Sequence, residues 1–347
     1  VEILPQPLGH INESWVATWE GPAGRKRYLL QHVNRSVFRR PELVMENMVR
    51  VTNHVTARVA DDGAADGDRR VLSLVPTHDG QSHHREPDGE VWRLVAWIEG
   101  TRSTEQAESP AEARAAAEAF GHFLRQLSDL PAPPLHETIP GFHDTPARFD
   151  ALERAVAADS AGRVAEAREE IQALLDRRRV GHALADHLAA GEIAIRTTHN
   201  DAKIANVLLD ADSGEPLCVV DLDTVMPGLV LHDFGDMVRS MVSDSAEDEQ
   251  DLDRIQVRVP VFAALARGFS QAAGEALSPL ERTLLPTAAQ VITLEQAVRF
   301  LTDHLQGDPY YRIGRPGHNL DRTRSQLRLV EALEASDGEL QRIVGEL

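Results

Sequence analysis

The sequence predicts an α/β protein of two lobes, in which a small β-sheet lobe precedes a large and mainly helical lobe. Short apolar runs separated by turn-forming segments fill the first hundred residues, as is typical of strands. After residue 110 most of the chain has apolar residues at helical spacing. Between residues 195 and 223 this pattern gives way to two apolar runs around a turn, which indicates a β-hairpin inside the helical part.

The small lobe is predicted to span residues 1–98. We expect its strands at residues 15–19, 27–33, 71–75 and 91–98. A helix is expected from Pro41 to residue 59, because proline suits the first helical position and the apolar residues that follow recur at helical spacing.

The large lobe is predicted to span residues 99–347, after a hinge at residues 96–101. Helices are expected at residues 110–130, at 148–190 in two pieces, and at 233–242, 260–273, 279–306 and 321–345. The acidic run at residues 243–253 is expected to be an exposed connection.

Composition excludes several classes of partner. The net charge of the 347 residues is −19, so nucleic acid and anionic membranes are poor partners. No apolar run approaches the length of a membrane span, and no signal peptide is visible. The single cysteine, Cys218, lies in an apolar strand, where we expect it to be a core residue. These features favour a cytoplasmic protein, which we expect to be a monomer or a weak homodimer.

The predicted hairpin brings three polar side chains together. If its strands pair symmetrically about Ser213 and Gly214, Asn206 lies opposite Asp221 at the open end. Asp201 enters the same place from the preceding polar loop. An amide and two carboxylates would then meet on a rigid support.

This set of side chains suits phosphoryl transfer, which needs Mg²⁺ on the phosphates and a residue that positions the attacking hydroxyl. Residues 199–206, HNDAKIAN, also have the H-x-D-x-x-x-x-N spacing of a kinase catalytic loop. On that template Asp201 takes or orients the substrate proton, while Asn206 and Asp221 hold the metal. The alternative is that these residues only form caps and turns.

A second motif, Asp233-Phe234-Gly235, spells the metal-binding triplet of protein kinases. It lies a dozen residues beyond Asp221, after a Pro-Gly break, so Asp233 cannot pair with Asn206 across the hairpin. We expect Asp233 to be a buried support of the catalytic loop and Asp221 to be the metal ligand.

Several stretches resemble the aminoglycoside and choline phosphotransferase group of kinase-like enzymes, namely HNDAKIANVLLD, CVVDLDTVMPG and LHDFGDMVRS. Within that group GHINESW, YLLQHVNRSVF and RFLTDHLQGDPYYRI look most like bacterial N-acetylhexosamine 1-kinases. The resemblance covers nearly the whole chain. It implies a protein-kinase-like fold of the aminoglycoside phosphotransferase type, a nucleotide-binding small lobe, a catalytic and substrate-binding large lobe, and ATP and Mg²⁺ as cofactors.

The resemblance also implies ligand contacts. Nucleotide contacts are expected in the small lobe and at the hinge, at Gly9, Asn12, Gln31, Ala96, Trp97 and Ile98. Substrate contacts are expected at His32, Asp201, Asp223, Thr224, Arg299 and Tyr310. Arg299 and Asp303, four residues apart on one helix, can pair on one face of it, and such a surface pair is the alternative to a substrate role for Arg299.

One position departs from the usual kinase pattern. Kinases commonly carry a phosphate-binding lysine on the second strand of this lobe, paired with a glutamate of the following helix. Here that helix carries Glu46, but the strand has Gln31 and His32 where the lysine is expected. This substitution argues against the usual lysine–phosphate contact, and the sugar 1-kinases that the chain resembles also have glutamine at that position.

The predicted function is ATP-dependent phosphorylation of the anomeric hydroxyl of an N-acetylhexosamine, which gives a sugar 1-phosphate. One alternative is a kinase of the same group that acts on another sugar, an amino sugar or an aminoglycoside. A second alternative is a pseudokinase that binds nucleotide without turnover.

Overall fold

The N-terminal part of the protein is built on an antiparallel sheet. The structure is a computed structural model and describes residues 1–6, 11–22, 24–61, 63 and 66–347. The five strands of this sheet lie in the order β1-β2-β3-β5-β4. They are β1 (Glu2–Pro5), β2 (Glu13–Gly21), β3 (Gly24–His32), β4 (His84–Arg85) and β5 (Val91–Ala96).

The register of this sheet aligns three polar residues. Ser14 of β2 pairs with Gln31 of β3, and Gln31 pairs with Arg93 of β5. Directly paired residues point to the same face of a sheet. A row of polar side chains therefore crosses three strands on one face.

The strand predicted at residues 71–75 is reduced to one bridge, between Leu74 and Val95. The short strand β4 pairs with the same edge of β5, at Val91 and Trp92. Because two segments share this one edge, neither extends into a long strand.

A long helix, α1 (Pro41–Asp61), follows β3. Its apolar stripe joins the core, where Val44, Met48 and Val51 pack in one cluster with Val91 and Val95 of β5. The helix begins at Pro41, as expected from the preference of proline for the first helical turn.

The C-terminal part is mainly helical. Its helices are α2 (Pro110–Leu127), α3 (Thr145–Ala158), α4 (Arg168–Asp176), α5 (Arg178–Ala189), α6 (Val230–Met241), α7 (Val259–Ala273), α8 (Pro279–Thr283), α9 (Leu285–Leu305) and α10 (His318–Gly345). Helix α9 is buried on most of its surface and packs against α3, α5, α6 and α10, so it forms the centre of this part. None of the described helices is long and apolar enough to cross a membrane.

The segment predicted as two helical pieces at residues 148–190 forms three helices. Asp159 and Gly162 adopt left-handed conformations, at φ +39° and +68°, and such residues commonly end a helix. Helix α3 therefore ends at Ala158, and α4 begins only at Arg168.

Two small sheets interrupt the helices. Strands β6 (Thr101–Arg102), β8 (Val207–Asp210) and β9 (Pro216–Val219) form one sheet, and β7 (Arg196–Thr198) pairs with β10 (Met226–Gly228). The predicted hairpin is thus present, as β8 and β9. The described fold has a small antiparallel sheet followed by a mainly helical part, as the sequence predicts.

Candidate active site

A cavity of about 270 Å³ lies between the N-terminal sheet and the β8–β9 hairpin. It is lined by most of the residues that the sequence singles out, namely Asn12, Gln31, Ala96, Trp97, Ile98, Asp201, Asn206, Asp221, Asp223 and Thr224. Gly9 lies outside the described residues. The fold therefore brings side chains that are up to 212 positions apart in the sequence into one cleft.

The hairpin differs from symmetric pairing by one residue. Val207 pairs with Val219, and the Val220 N–H donates to the Asn206 carbonyl at 2.9 Å, so Asn206 lies opposite Val220 rather than Asp221. A bulge between Leu208 and Leu209 shifts the register. Asp221 follows the ladder at φ +58°, in a left-handed conformation, and lines the cavity with Asn206.

Asp201 lies within a network of donors. The Asn206 Nδ2 donates to the Asp201 carbonyl at 2.8 Å and to its Oδ2 at 2.9 Å, and Lys203 Nζ lies 3.2 Å from the same oxygen. Burial by itself raises the pKa of Asp201, but the positive charge of Lys203, the ring of His199 and the Asn206 amide outweigh it and lower that pKa to about 2. Asp201 is therefore a carboxylate at neutral pH.

Asn206 and Asp221 fit a hard cation. The Asn206 amide nitrogen is used by Asp201, while its Oδ1 accepts no hydrogen bond from the described residues. The Asp221 carboxylate likewise has no hydrogen bond or ion pair within the described part of the chain. Asp221 is reached by solvent through the cavity, yet the surrounding protein and the charges of Asp223 and Asp201 raise its pKa to about 6. A cation between these oxygens would relieve that repulsion.

Asp233 is a buried support of the catalytic loop, as predicted. It is buried, and its two carboxylate oxygens accept the backbone N–H groups of His199 at 3.0 Å and Asn200 at 2.7 Å. Asp233 is not one of the described residues that line the cavity. The carboxylate therefore orients the two residues before Asp201.

A second buried group holds the same loop. The Nε2 of His143 lies 2.9 Å from the Asn200 carbonyl oxygen, and its Nδ1 lies 2.8 Å from Oε1 of Glu295 on α9. Thr145 donates to the other Glu295 oxygen at 2.6 Å. The charge and hydrogen bonds of Glu295 outweigh the effect of burial and raise the pKa of His143.

The structure engages both carboxylate oxygens of Asp223 within the protein. Arg93 forms a buried, bidentate ion pair with Asp223, and Nδ2 of Asn12 donates to Asp223 Oδ2 at 2.6 Å. This carboxylate, a predicted substrate contact, therefore joins two residues of the N-terminal part to the segment after β9. Thr224, the next predicted contact, keeps a buried hydroxyl with no hydrogen-bond partner among the described residues.

His32, a predicted substrate contact, does not line this cavity. Its ring stacks on Trp92 with centroids 4.7 Å apart, and its Nε2 lies 2.6 Å from Glu90. The side chains of a strand alternate between its faces, so His32 and Gln31 point to opposite sides of the sheet. Only Gln31 reaches the cleft.

Among the described residues no ion pair joins Arg299 to Asp303, so the alternative of a surface pair does not apply. Asp303 instead accepts the backbone N–H groups of Tyr310 at 2.8 Å and Tyr311 at 3.0 Å, because the chain folds back over the end of α9. Arg299 lies over the rings of Phe142, 5.2 Å away, and Tyr311, 5.7 Å away. Arg299 and Tyr310 do not line the 270 Å³ cavity, and Tyr310 is 51% exposed.

Four functional candidates were not singled out by the sequence reasoning, namely Arg93, Lys203, His143 and Glu295. Arg93 does carry a sequence signal. It lies two residues from both Val91 and Val95, which are buried on the same face of β5, so it is a charge on an apolar face. Lys203 falls inside the catalytic-loop motif. His143 and Glu295 have no local pattern, because their contact joins residues that are 152 positions apart.

Comparison with known proteins agrees with this geometry. A model of the family described as "Phosphotransferase enzyme family" (APH) matches residues 2–267. The fold is similar to a microcompartment-associated aminopropanol kinase, with a TM-score of 0.64, 16% identity, and coverage of 97% of this chain and 93% of that one. It is also similar to a spectinomycin phosphotransferase in complex with ADP and spectinomycin, with a TM-score of 0.57, 12% identity, and coverage of 96% and 92%. A choline/ethanolamine kinase family protein from Mesorhizobium loti has a TM-score of 0.53 and 16% identity over 99% and 92% of the two chains.

Proposed function

The chain belongs to the APH phosphotransferase enzyme family, and from this premise we propose that it transfers the γ-phosphate of ATP to the anomeric hydroxyl of an N-acetylhexosamine. The family membership carries the reaction class, a small-molecule phosphotransferase with an alcohol acceptor. The sugar and the position of its phosphorylation rest on the sequence resemblance and on the surroundings of Arg299. The product would be a sugar 1-phosphate.

In this proposal Asp201 orients the anomeric hydroxyl and accepts its proton as the bond to phosphorus forms. The low pKa of Asp201 keeps it in the carboxylate form, and an anomeric hydroxyl is more acidic than an ordinary alcohol, so a weak base suffices. Lys203, 3.2 Å from Asp201, is placed to attract the transferred phosphoryl group. Asn206 and Asp221 would hold Mg²⁺, which neutralises charge on the phosphates when bound.

The nucleotide would occupy the 270 Å³ cavity, with its base at the hinge. Trp97, which lines this cavity, has the guanidinium of Arg27 over its ring at 4.8 Å, so one face of the indole is covered by a cation. We place the lobe boundary at residue 98, with the nucleotide bound chiefly by residues 1–98. A cytoplasmic location with ATP available, and a monomer or weak homodimer, complete the proposal.

The acceptor preference is supported by one observation around Arg299. Proteins that bind quaternary ammonium groups surround them with open aromatic faces. Here the guanidinium of Arg299 already covers the faces of Phe142 and Tyr311. A second cation, Arg148, interacts electrostatically with Arg299. A cationic amine is therefore disfavoured, whereas neutral hydroxyl and acetamido groups can accept hydrogen bonds from Arg299.

This observation separates the proposal from its nearest alternative, a kinase for aminoglycosides or other amines. The similar structures include proteins described as aminopropanol, spectinomycin and choline/ethanolamine kinases, so amine acceptors belong in the test. The other alternative, a pseudokinase, is opposed by the intact set of Asp201, Asn206 and Asp221 in one cleft.

The test is ADP release across a panel of acceptors. The panel holds free N-acetylglucosamine and N-acetylgalactosamine, their methyl glycosides, glucosamine, an aminoglycoside, choline and aminopropanol. We expect turnover of the free N-acetyl sugars, none of the methyl glycosides, and a 1-phosphate product by phosphorus NMR. Turnover of methyl glycosides at the rate of the free sugars would exclude anomeric phosphorylation. A preference for choline or an aminoglycoside would replace the proposed acceptor, and absence of turnover with Mg·ATP binding retained would indicate a pseudokinase.

A further inference from the structure

The cleft has few positive charges for a ligand as anionic as ATP. Its described lining contains four carboxylates and only two cations, Arg93 and Lys203. Lys203 is paired with Asp201. The strand that carries a phosphate-binding lysine in protein kinases has Gln31 at the cleft, and its one lysine, Lys26, pairs with Trp19 near the far end of the hairpin. Lys203 belongs to the catalytic loop, so Arg93 is the one cation of the described cavity lining that the N-terminal sheet supplies.

Arg93 lies directly beside the position of the missing lysine. Gln31 and Arg93 are paired across β3 and β5, and Arg93 Nε donates to Gln31 Oε1 at 2.9 Å. Gln31 in turn donates to Ser14 Oγ at 3.2 Å. The polar row across the sheet thus orients the guanidinium from one side.

Asp223 orients the guanidinium from the other side. Arg93 Nη2 donates to Asp223 Oδ2 at 3.0 Å, and Nη1 donates to Oδ1. Asp223 lies two residues after Asp221, the candidate metal ligand, and also receives the Asn12 amide from the segment before β2. The guanidinium is therefore fixed between the N-terminal sheet and the segment that carries the metal ligand.

We propose that Arg93 is the cation that binds the nucleotide phosphates in this protein, one strand across from the position that a lysine takes in protein kinases. The inference rests on the proposed ATP-dependent function. A guanidinium has five N–H donors in a rigid plane. Gln31 and Asp223 use three of them and the Met48 sulfur a fourth, so one N–H of Arg93 remains for a phosphate oxygen. Gln31 then serves to orient this arginine, and Asp223 couples it to the metal-binding segment.

The competing explanation is that Arg93 and Asp223 form only a structural bridge between the two parts of the protein. A single substitution does not distinguish these explanations, because it leaves one unpaired buried charge that destabilises the fold. The double variant Arg93→Met/Asp223→Leu removes both charges together and is expected to remain folded. A matched control is Arg177→Met/Glu334→Leu, which removes another bidentate pair, outside the cleft lining.

The experiment compares the binding of Mg·ADP and of adenosine by calorimetry in the wild type, both double variants and Arg93→Lys. Loss of a charged contact to phosphate is expected to weaken Mg·ADP binding by roughly 10- to 100-fold. Adenosine binding should be unchanged, because adenosine has no phosphate. Arg93→Lys should recover part of the Mg·ADP affinity, and the control pair should leave both ligands unaffected.

Each outcome decides a separate question. A wild type that binds no Mg·ADP refutes the proposed function itself. A folded Arg93→Met/Asp223→Leu variant with wild-type affinity for Mg·ADP overturns the role of Arg93, as does equal weakening of adenosine and Mg·ADP. If that variant does not fold, the pair Arg93→Gln/Asp223→Asn keeps hydrogen-bonding groups of similar shape, and an unchanged ratio of the two affinities there also overturns the proposal.

Discussion

Replacing Glu295 by glutamine tests the buried ion pair that holds the catalytic loop. Both ring nitrogens of His143 face acceptors, Glu295 Oε1 at 2.8 Å and the Asn200 carbonyl at 2.9 Å, so the ring needs both protons. Two further groups face it. The charge of Arg299 on α9 lowers the pKa of His143. His232 on α6 is buried, and this burial together with the charge of His143 lowers the pKa of His232 to about 3. Glu295 is thus the charge that keeps His143 cationic.

The size of the effect follows from the pKa of Glu295. Burial raises it, but His143, Arg299 and Thr145 outweigh burial and lower it from 4.5 to about 2. At about 1.4 kcal/mol per unit, this difference corresponds to roughly 3 kcal/mol of stability in the charged state. The two side chains are 7% and 2% exposed, so solvent screening is slight. Glutamine keeps the shape of Glu295 and removes its charge, so the free energy of unfolding should fall by about 3 kcal/mol.

The pH dependence has a defined sign. The pKa of Glu295 is lower in the folded protein than in the unfolded chain, so its contribution is present above about pH 4.5 and is lost as the pH falls toward about 2. The pKa of His143 is raised above 6.5, so its contribution is present below about pH 6.5 and is lost as the pH rises through the folded value. The difference between wild type and variant should therefore be greatest from about pH 4.5 to 6.5.

Urea unfolding at several pH values measures this difference. We expect about 3 kcal/mol at pH 5.5 and a value smaller by about 1.4 kcal/mol at pH 3.5. The control is Glu331→Gln. The Glu331 side chain pairs with Arg328 and is 46% exposed, so this substitution should alter the free energy of unfolding by less than about 0.5 kcal/mol. A Glu295→Gln variant as stable as wild type at pH 5.5, or a difference that does not shrink at pH 3.5, would refute the charged-pair reasoning.

Three further predictions concern the catalytic loop and its hairpin. Asp201→Asn should lower kcat by roughly 100- to 10,000-fold in a protein that remains folded by circular dichroism, and near-native turnover would exclude Asp201 as the positioning base. Gly228→Ala should lower the free energy of unfolding in urea by about 1 to 3 kcal/mol. The Cβ of the alanine would lie 2.3 Å from both Asn200 Oδ1 and Thr198 Oγ1, and wild-type stability would contradict this packing. Burial raises the pKa of the Cys218 thiol to about 12, so a thiol-specific reagent should modify it only after denaturant is added, whereas rapid reaction in the folded protein would place it at the surface.

The sequence predicts those parts of the site that local patterns encode. The catalytic-loop spacing identifies Asp201 and Asn206, and the apolar runs identify the hairpin that brings Asp221 to the cleft. The one-residue error in register arises at the turn. Leu209 pairs with Pro216, two residues short of the partner that symmetric pairing about Ser213 and Gly214 predicts, and the bulge after Leu208 recovers only one of the two. The prediction of Asp233 as a buried support rests on its distance in sequence from the hairpin. It is confirmed, because the buried Asp233 carboxylate accepts two backbone N–H groups of the loop.

A sequence pattern does not show where every side chain points. His32 is adjacent to Gln31, but strand alternation directs it to the opposite face of the sheet, away from the cavity. Arg299 and Asp303 are suitably spaced on α9 for a pair, but the chain beyond the helix offers Asp303 two backbone donors. For Asp303 a tertiary contact thus outweighs the local spacing.

The position of the catalytic aspartate itself depends on contacts that no local motif contains. The residue before it, Asn200, is held at φ +65°, a conformation that costs energy unless its surroundings fix it. Its N–H donates to Asp233, its carbonyl oxygen lies 2.9 Å from His143 Nε2, and its side-chain amide donates to the carbonyl of Thr224 at 3.0 Å. These partners come from three separate segments of the chain, so the backbone of Asn200 is constrained on several sides. The motif therefore identifies Asp201 as the candidate catalytic residue, while the three contacts determine where its carboxylate lies relative to Asp221.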